Sequence, residues 1–208
     1  MPYVQNGAKS AYTGENKPVF LKCVFTDNHL DILYKQFNDT SSIEVSFPAF
    51  DVIRFNINSK PHITDKPLTS CKFTDNGSSV ILYNDSVRIS IEKSPFSYTI
   101  TGNNETLPVK NGSVSFGDSV VIVSRISPGE HFYGVGEKFN GFDQRGKKIR
   151  MELNDAFMSD DDSTYKSIPF YLSSQRYGML FNTGMQIVFD MGAEDSSTAV
   201  INIPGKDI

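Results

Sequence analysis

The chain has 208 residues, 38% hydrophobic and 12% aromatic, with a formal net charge of -4. That length suits one large domain or two small ones, and it buries roughly 70–75% of the unfolded surface, so a core needs no metal or disulfide staple. The acidic balance, with a sequence pI of about 5.4, excludes the basic face of a nucleic-acid binder; no apolar run reaches the ~20 residues of a membrane span; and the aromatic content excludes wholesale disorder.

Residues 1–18 are polar and weakly patterned and read as a lead-in, with or without a strand of its own. They lack a charged stretch followed by an apolar run, so no signal peptide is expected and the expected location is cytoplasmic. One domain is expected over residues 19–208. Leu30, Ile32 and Tyr34 alternate with polar neighbours, and so do Ile43, Val45 and Phe47, then Ile53, Phe55 and Ile57. Val87, Ile89 and Ile91 repeat the pattern, followed by Tyr98 and Ile100, Val114 and Phe116, Val120 and Ile122, and finally Val200, Ile201 and Ile203. A period of two repeated this often marks antiparallel strands with one wet face. Sixteen Phe and nine Tyr against six alanines lean the same way. Asn111-Gly112, between Leu107-Pro-Val109 and Val114-Ser-Phe116, predicts a tight primed hairpin. Ser127-Pro-Gly-Glu130 predicts a turn, and Tyr177-Gly178 predicts another hairpin, between Phe170-Tyr-Leu172 and Met179-Leu-Phe181. The expected fold class is all-β: a large antiparallel β-sandwich of a dozen or more short strands with few or no helices.

Several candidate sites dissolve on inspection. Cys23 and Cys71 are too few for a disulfide framework and read as two reduced, buried thiols, with a single bridge as the alternative. His29, His62 and His131 are far apart along the chain and lack metal-ligand spacing, so no metal site and no cofactor are expected. Gly134-Val-Gly136-Glu137 fails as a dinucleotide fingerprint, because Phe139 stands where the third glycine belongs. A calcium loop starting at Asp160-Asp-Asp162 would need glycine at Tyr165 and glutamate at Tyr171, so a solvated loop is the better reading. Five N-x-S/T sequons arise easily in a chain this rich in Asn, Ser and Thr. Residues 131–192 are denser: Glu137, Arg145, Lys147, Lys148 and Arg150 precede Asn154-Asp155. Such groups can hydrogen-bond sugar hydroxyls, although the residues alone still favour a solvated charged loop.

The order of motifs in this stretch carries a resemblance. His131-Phe-Tyr-Gly-Val-Gly-Glu137 is similar to the F-Y-G-L-G-E segment of glycoside hydrolase family 31, the α-glucosidase and α-xylosidase family. Asp143-Gln-Arg-Gly146 resembles its D-R-R-G, and Arg150-Met151 with Asp155-Ala156 its R-M-W-N-T-D-A. Tyr165-Lys-Ser-Ile-Pro-Phe170 resembles its Y-K-S-I-P-F-F, Tyr177-Gly178 through Phe181-Asn-Thr183 its G-Y-G-I-F-F-D-N-T, and Phe189-Asp-Met-Gly192 its F-D-F-G. The match is strong over about residues 131–192 and looser back to about residue 50.

The resemblance implies the family's N-terminal domain, a β-sandwich similar to galactose mutarotase. The catalytic acids would then lie on a following (β/α)₈ barrel, where retaining hydrolysis needs two carboxyl groups ~5–5.5 Å apart. No W-x-D-M-N-E-type nucleophile motif occurs in the 208 residues, so no residue here is expected to be catalytic. The implied partners are that barrel and an α-linked oligosaccharide or glycoside; nucleic acid and membrane are not. The resemblance makes Asp155 an acceptor for sugar hydroxyls in the leaving-sugar subsite, with Asn154 beside it and Arg150 orienting the loop. Glu152-Leu-Asn154 departs from the family's W-N-T, which removes an aromatic surface. Glu137 is expected to tie down the turn after Gly136. Ser167 to Phe170 and Phe189 to Gly192 are expected to be core and turn. A free-standing carbohydrate-binding or interaction module is the alternative, disfavoured by the absence of tryptophan. An aldose epimerase on the same fold would need a histidine–carboxylate pair in motifs that differ from these.

Overall fold

In the computed structural model the described residues are 18–36, 39–58, 69–102, 110–138, 140–151, 166–206 and 208. They form sixteen strands and no α-helix. β1 (Val19–Thr26), β2 (His29–Gln36), β3 (Asp39–Ala49) and β4 (Val52–Ile57) make a four-stranded meander. A nine-stranded sheet contains β5 (Lys72–Asp75), β6 (Ser79–Tyr83), β7 (Val87–Glu92), β8 (Ser97–Gly102), β9 (Lys110–Ser115) and β10 (Ser119–Arg125). The third sheet is β11 (Phe132–Gly134), β13 (Phe170–Ser173) and β14 (Tyr177–Leu180). β12 (Lys148–Arg150), β15 (Val188–Met191) and β16 (Thr198–Pro204) complete the nine-stranded sheet, in the order β12-β15-β16-β10-β9-β8-β7-β6-β5. Every strand pair is antiparallel.

Alternation decides which face turns inward. Leu30, Ile32 and Tyr34, then Ile43, Val45 and Phe47, are at most 1% exposed, because a strand sends every second side chain to one face. Both smaller sheets pack on the large one. Tyr34 meets Phe96 edge-on with ring centroids 5.0 Å apart, and Phe55 lies 5.4 Å from Tyr98. Farther along the same face of the large sheet, Tyr171 and Phe181 meet Phe189 edge-on at 6.3 and 5.4 Å. Val200 and Ile201 are adjacent and cannot share a face: Ile201 and Ile203 are buried with Ala199, while Val200 is only partly covered.

Three local expectations are corrected. Asn111-Gly112 is no hairpin turn but part of β9, opposite Thr99 and Tyr98. A Cβ on Gly112 would overlap the Tyr98 ring, and Asn111 Oδ1 accepts a hydrogen bond from Thr99 Oγ1 at 2.8 Å. The pair therefore serves close cross-strand packing. A two-residue primed turn occurs instead at Asp27-Asn28, with φ of 48° and 64°, joining β1 to β2. The β13–β14 hairpin is present, but it turns at residues 174–176, where Arg176 takes φ 65° and Ser173 Oγ accepts the Gln175 N–H at 3.0 Å. Ser127-Pro-Gly-Glu130 does turn: Glu130 N donates to Ser127 O at 3.1 Å, with Gly129 at φ 71°, as a type II turn requires. Cys23 and Cys71 are free thiols, half-buried rather than buried, and burial pushes the Cys71 thiol up to about 11. Among the described residues no helix is long and apolar enough to cross a membrane.

Candidate functional site

Of the three expected sugar-contacting residues the structure places one. Arg150 is the last residue of β12, exposed, and opposite Val188 of β15. Asn154 and Asp155 fall in residues 152–165, outside the described residues, as does Asp160-Asp-Asp162. The structure does describe how the two ends of that segment are held. At the leading end Met151 is buried and its N–H donates to Ile187 O at 2.8 Å. At the trailing end Lys166 O accepts the Glu137 N–H at 3.0 Å, and Phe170 O accepts the Val135 N–H at 2.8 Å. Lys138 Nζ reaches Arg150 O at 3.5 Å. One turn, residues 134–138, thus grips both ends.

Glycine chemistry explains that grip. Gly134 and Gly136 have φ of 114° and 89°, values open to glycine because it has no Cβ. A Cβ on Gly136 would stand 2.8 Å from Ile168 N and closer still to Lys166 O, so the backbones touch where a side chain would intervene. Between them Val135 is fully buried at φ 60°, a strained backbone for a β-branched residue. Such strain costs about 1–3 kcal/mol and persists only where the surroundings over-determine it. The Glu137 carboxylate pairs with Lys166 Nζ at 3.0 Å, which ties the turn to the trailing end as expected. Both side chains are exposed, so the pair adds at most about 1 kcal/mol.

A buried polar cluster beneath this turn was not legible in the sequence. Glu130 is 1% exposed. Its Oε1 accepts from Tyr177 OH at 2.6 Å and Ser173 Oγ at 2.7 Å, and its Oε2 accepts from Ser127 N at 2.8 Å. Buried carboxylates persist when bonded in this way. Burial, then neighbouring Tyr171 and Glu130, push the Tyr177 hydroxyl far above the usual phenol range. Arg145 donates to the backbone oxygens of Glu130 and Ser127. Asp143 lies 2.5 Å from His131 Nδ1 and accepts the Arg145 N–H at 2.9 Å. Burial pushes the Asp143 carboxyl up, but hydrogen bonds from Arg145, His131 and Phe132 outweigh it and leave its pKa lowered. The only advance signal was a glutamate closing a Pro-Gly turn, which normally indicates solvent.

The cations read from the residues alone as a solvated charged loop are largely engaged within the fold. Lys147 Nζ donates to Asn140 O at 2.5 Å, and Lys148 pairs with Glu194. Asp190 accepts the N–H groups of Gly192 and Ala193 at 3.0 and 2.7 Å, while Phe189 and Met191 are core, so residues 189–192 are turn and core as expected. Residues 167–170 differ in part from expectation, since Ile168 is exposed. The described side chains thus form a platform that holds the residues on either side of 152–165.

Residues 42–190 match the family model of the glycosyl hydrolase 31 N-terminal galactose mutarotase-like domain. The chain belongs to this family. An isomaltosyltransferase of Sporosarcina globispora is 27% identical over 168 residues, covering 73% of this chain and 15% of that protein. A cycloalternan-forming enzyme from Listeria monocytogenes, solved with a pentasaccharide substrate, superposes with TM-score 0.81 at 16% identity, over 91% of this chain and 20% of its own. A family 31 dextranase of Flavobacterium johnsoniae superposes with TM-score 0.76 at 18% identity, over 92% and 26%. The chain therefore spans about a quarter or less of the length of these proteins. At such identity the superpositions speak for the family 31 sandwich fold alone.

Proposed function

We propose that this chain is the N-terminal accessory domain of a family 31 glycoside hydrolase acting on α-linked glucosides or xylosides. It packs against a catalytic barrel and does not turn over substrate by itself. The segment 152–165 reaches the leaving-sugar subsite, where Asp155 and Asn154 accept and donate hydrogen bonds to sugar hydroxyls and Arg150 orients the base of the segment. The observation that carries this reading is the double grip of residues 134–138, on Arg150 through Lys138 and on Lys166 and Phe170 through the backbone. A fold that needs only stability has no use for a strained turn holding both ends of one polar segment, whereas a subsite needs its contacts on a fixed base. The cytoplasmic location expected from the sequence is part of the same proposal, and cell fractionation checks it.

The purified 208-residue chain should release no aryl alcohol from an aryl α-glucoside or α-xyloside; turnover would overturn the reading. In an enzyme carrying this domain, Asp155→Asn should lower kcat/KM for a disaccharide about tenfold. An aryl glycoside has no leaving sugar and should be nearly unaffected. Equal loss on both substrates would remove Asp155 from the leaving-sugar subsite. Calorimetric titration of maltose and isomaltose onto the isolated chain separates this from a free-standing binding module, for which saturable binding at millimolar concentration or tighter is expected.

A further inference from the structure

Away from the 134–170 platform, the outward face of the four-stranded sheet gathers three metal-ligand side chains. His29 and Asp31 stand two residues apart on β2 and so share a face, and Glu44 of β3 is the register partner of Asp31. One ligand atom from each lies within 4.8 Å of the other two. We propose that His29, Asp31 and Glu44 form a divalent transition-metal site of the zinc class, whose ion clips the β1–β2 hairpin to β3.

Three features favour a site over a chance cluster. His29 Nε2 and Asp31 Oδ2 are 3.3 Å apart. Zinc holds His nitrogen at about 2.0–2.1 Å and carboxylate oxygen at about 2.0–2.2 Å, so two donors at the tetrahedral angle lie about 3.3–3.5 Å apart. Asp31 and Glu44 face each other directly across the ladder, where like charges destabilise a sheet unless a cation joins them. Finally, Asn56 of β4 donates its Nδ2–H to Glu44 Oε1 at 3.0 Å. That bond orients the carboxylate, as the outer partners of metal ligands do. The donors ride on paired strands rather than on a loop, and their partial exposure leaves a fourth position for water. The imidazole favours zinc, nickel or copper over calcium or magnesium, which prefer all-oxygen sets. Chain order hid the cluster, because only strand pairing brings Glu44 beside the other two. Arg54 shares its face with Asn56 by register.

Calorimetry with ZnCl₂ on the metal-stripped 208-residue chain should give one saturable site at micromolar concentration. Co²⁺ should give the visible absorption of a four-coordinate ion. Zn²⁺ should raise the melting temperature, as any ligand of the folded state does, and Ca²⁺ and Mg²⁺ should not. His29→Gln and Glu44→Gln should each weaken Zn²⁺ binding at least tenfold, and Asn56→Leu by roughly tenfold. His131→Gln and Cys23→Ser should leave binding unchanged. These side chains lie on the outward face, so the variants should melt with the parent chain in EDTA. No saturable uptake by the parent chain overturns the proposal, as does uptake that survives both His29→Gln and Glu44→Gln.

Discussion

Two tyrosines show how differently the halves of this molecule are held. Tyr34, in the four-stranded sheet, is fully buried among Phe20, Phe96 and Phe116, and its hydroxyl has no hydrogen-bond partner among the described residues. Tyr177, in the three-stranded sheet, gives its hydroxyl to the buried Glu130 carboxylate at 2.6 Å. The first environment rewards shape and apolar area, and a phenylalanine would serve it. The second is a polar network in which each member's cost of burial is met by the others. The four-stranded sheet is therefore tolerant, built on alternation alone, whereas the 130–190 region depends on individual atoms.

The largest test of that contrast is Glu130→Ala. It strips the partner from two hydroxyls and a backbone N–H at once and should cost about 3–5 kcal/mol, read from urea unfolding. A loss below about 1 kcal/mol would mean the cluster is dispensable and the contrast false. Gly136→Ala comes next, at no less than about 2 kcal/mol, because the new Cβ meets backbone on two sides at a positive φ. Gly117→Ala, with open space around it, should stay within about 0.5 kcal/mol.

High pH should erase the difference between the halves. Burial pushes Tyr98 up to about 12, and Tyr34, Tyr171 and Tyr177 higher still. A raised folded-state pKa means the native chain keeps protons that the unfolded chain releases. Stability from these groups is then complete below an unfolded pKa of about 10 and falls as pH rises through the folded values. Melting temperatures should drop from about pH 10 upward, and a flat profile to pH 12 would contradict the burial. The smallest effects are the most discriminating. Tyr177→Phe should cost about 1–2 kcal/mol at neutral pH, since it leaves Glu130 short of a donor. Tyr34→Phe should be neutral within about 0.5 kcal/mol or stabilising, since it deletes a buried hydroxyl that lacks a partner. Equal costs would collapse the comparison.

Legibility in the sequence follows the same division. The inward sets from Leu30 to Phe47 and from Val87 to Ile91 were readable because the pleat forces a period of two on any half-buried strand. Turn positions were readable only where the turn is local. Pro128-Gly129 turns as its residue types demand, whereas Asn111-Gly112 carries the strongest hairpin signal and lies within a strand. Its role there is to make room for Tyr98, a residue of another strand that no local window contains. The candidate site was readable as an ordered motif set, Gly134 to Glu137 and Tyr165 to Phe170. The reason for the glycines was not, because it is the backbone of residues 166–170 pressing on them. Glu130 was missed for a related reason, since its partners Ser173 and Tyr177 come from the β13–β14 hairpin.

By itself the sequence determined the all-β class, the face of each long strand that turns inward, and the family to which the chain belongs. These rest on local periodicity and on short motifs kept in order. Only the tertiary structure decided that Glu130 is buried, that residues 134–138 hold both ends of the segment carrying Asp155, and that His29, Asp31 and Glu44 share one face. Each of those depends on which strands pair, and antiparallel pairing brings together residues that chain order keeps apart.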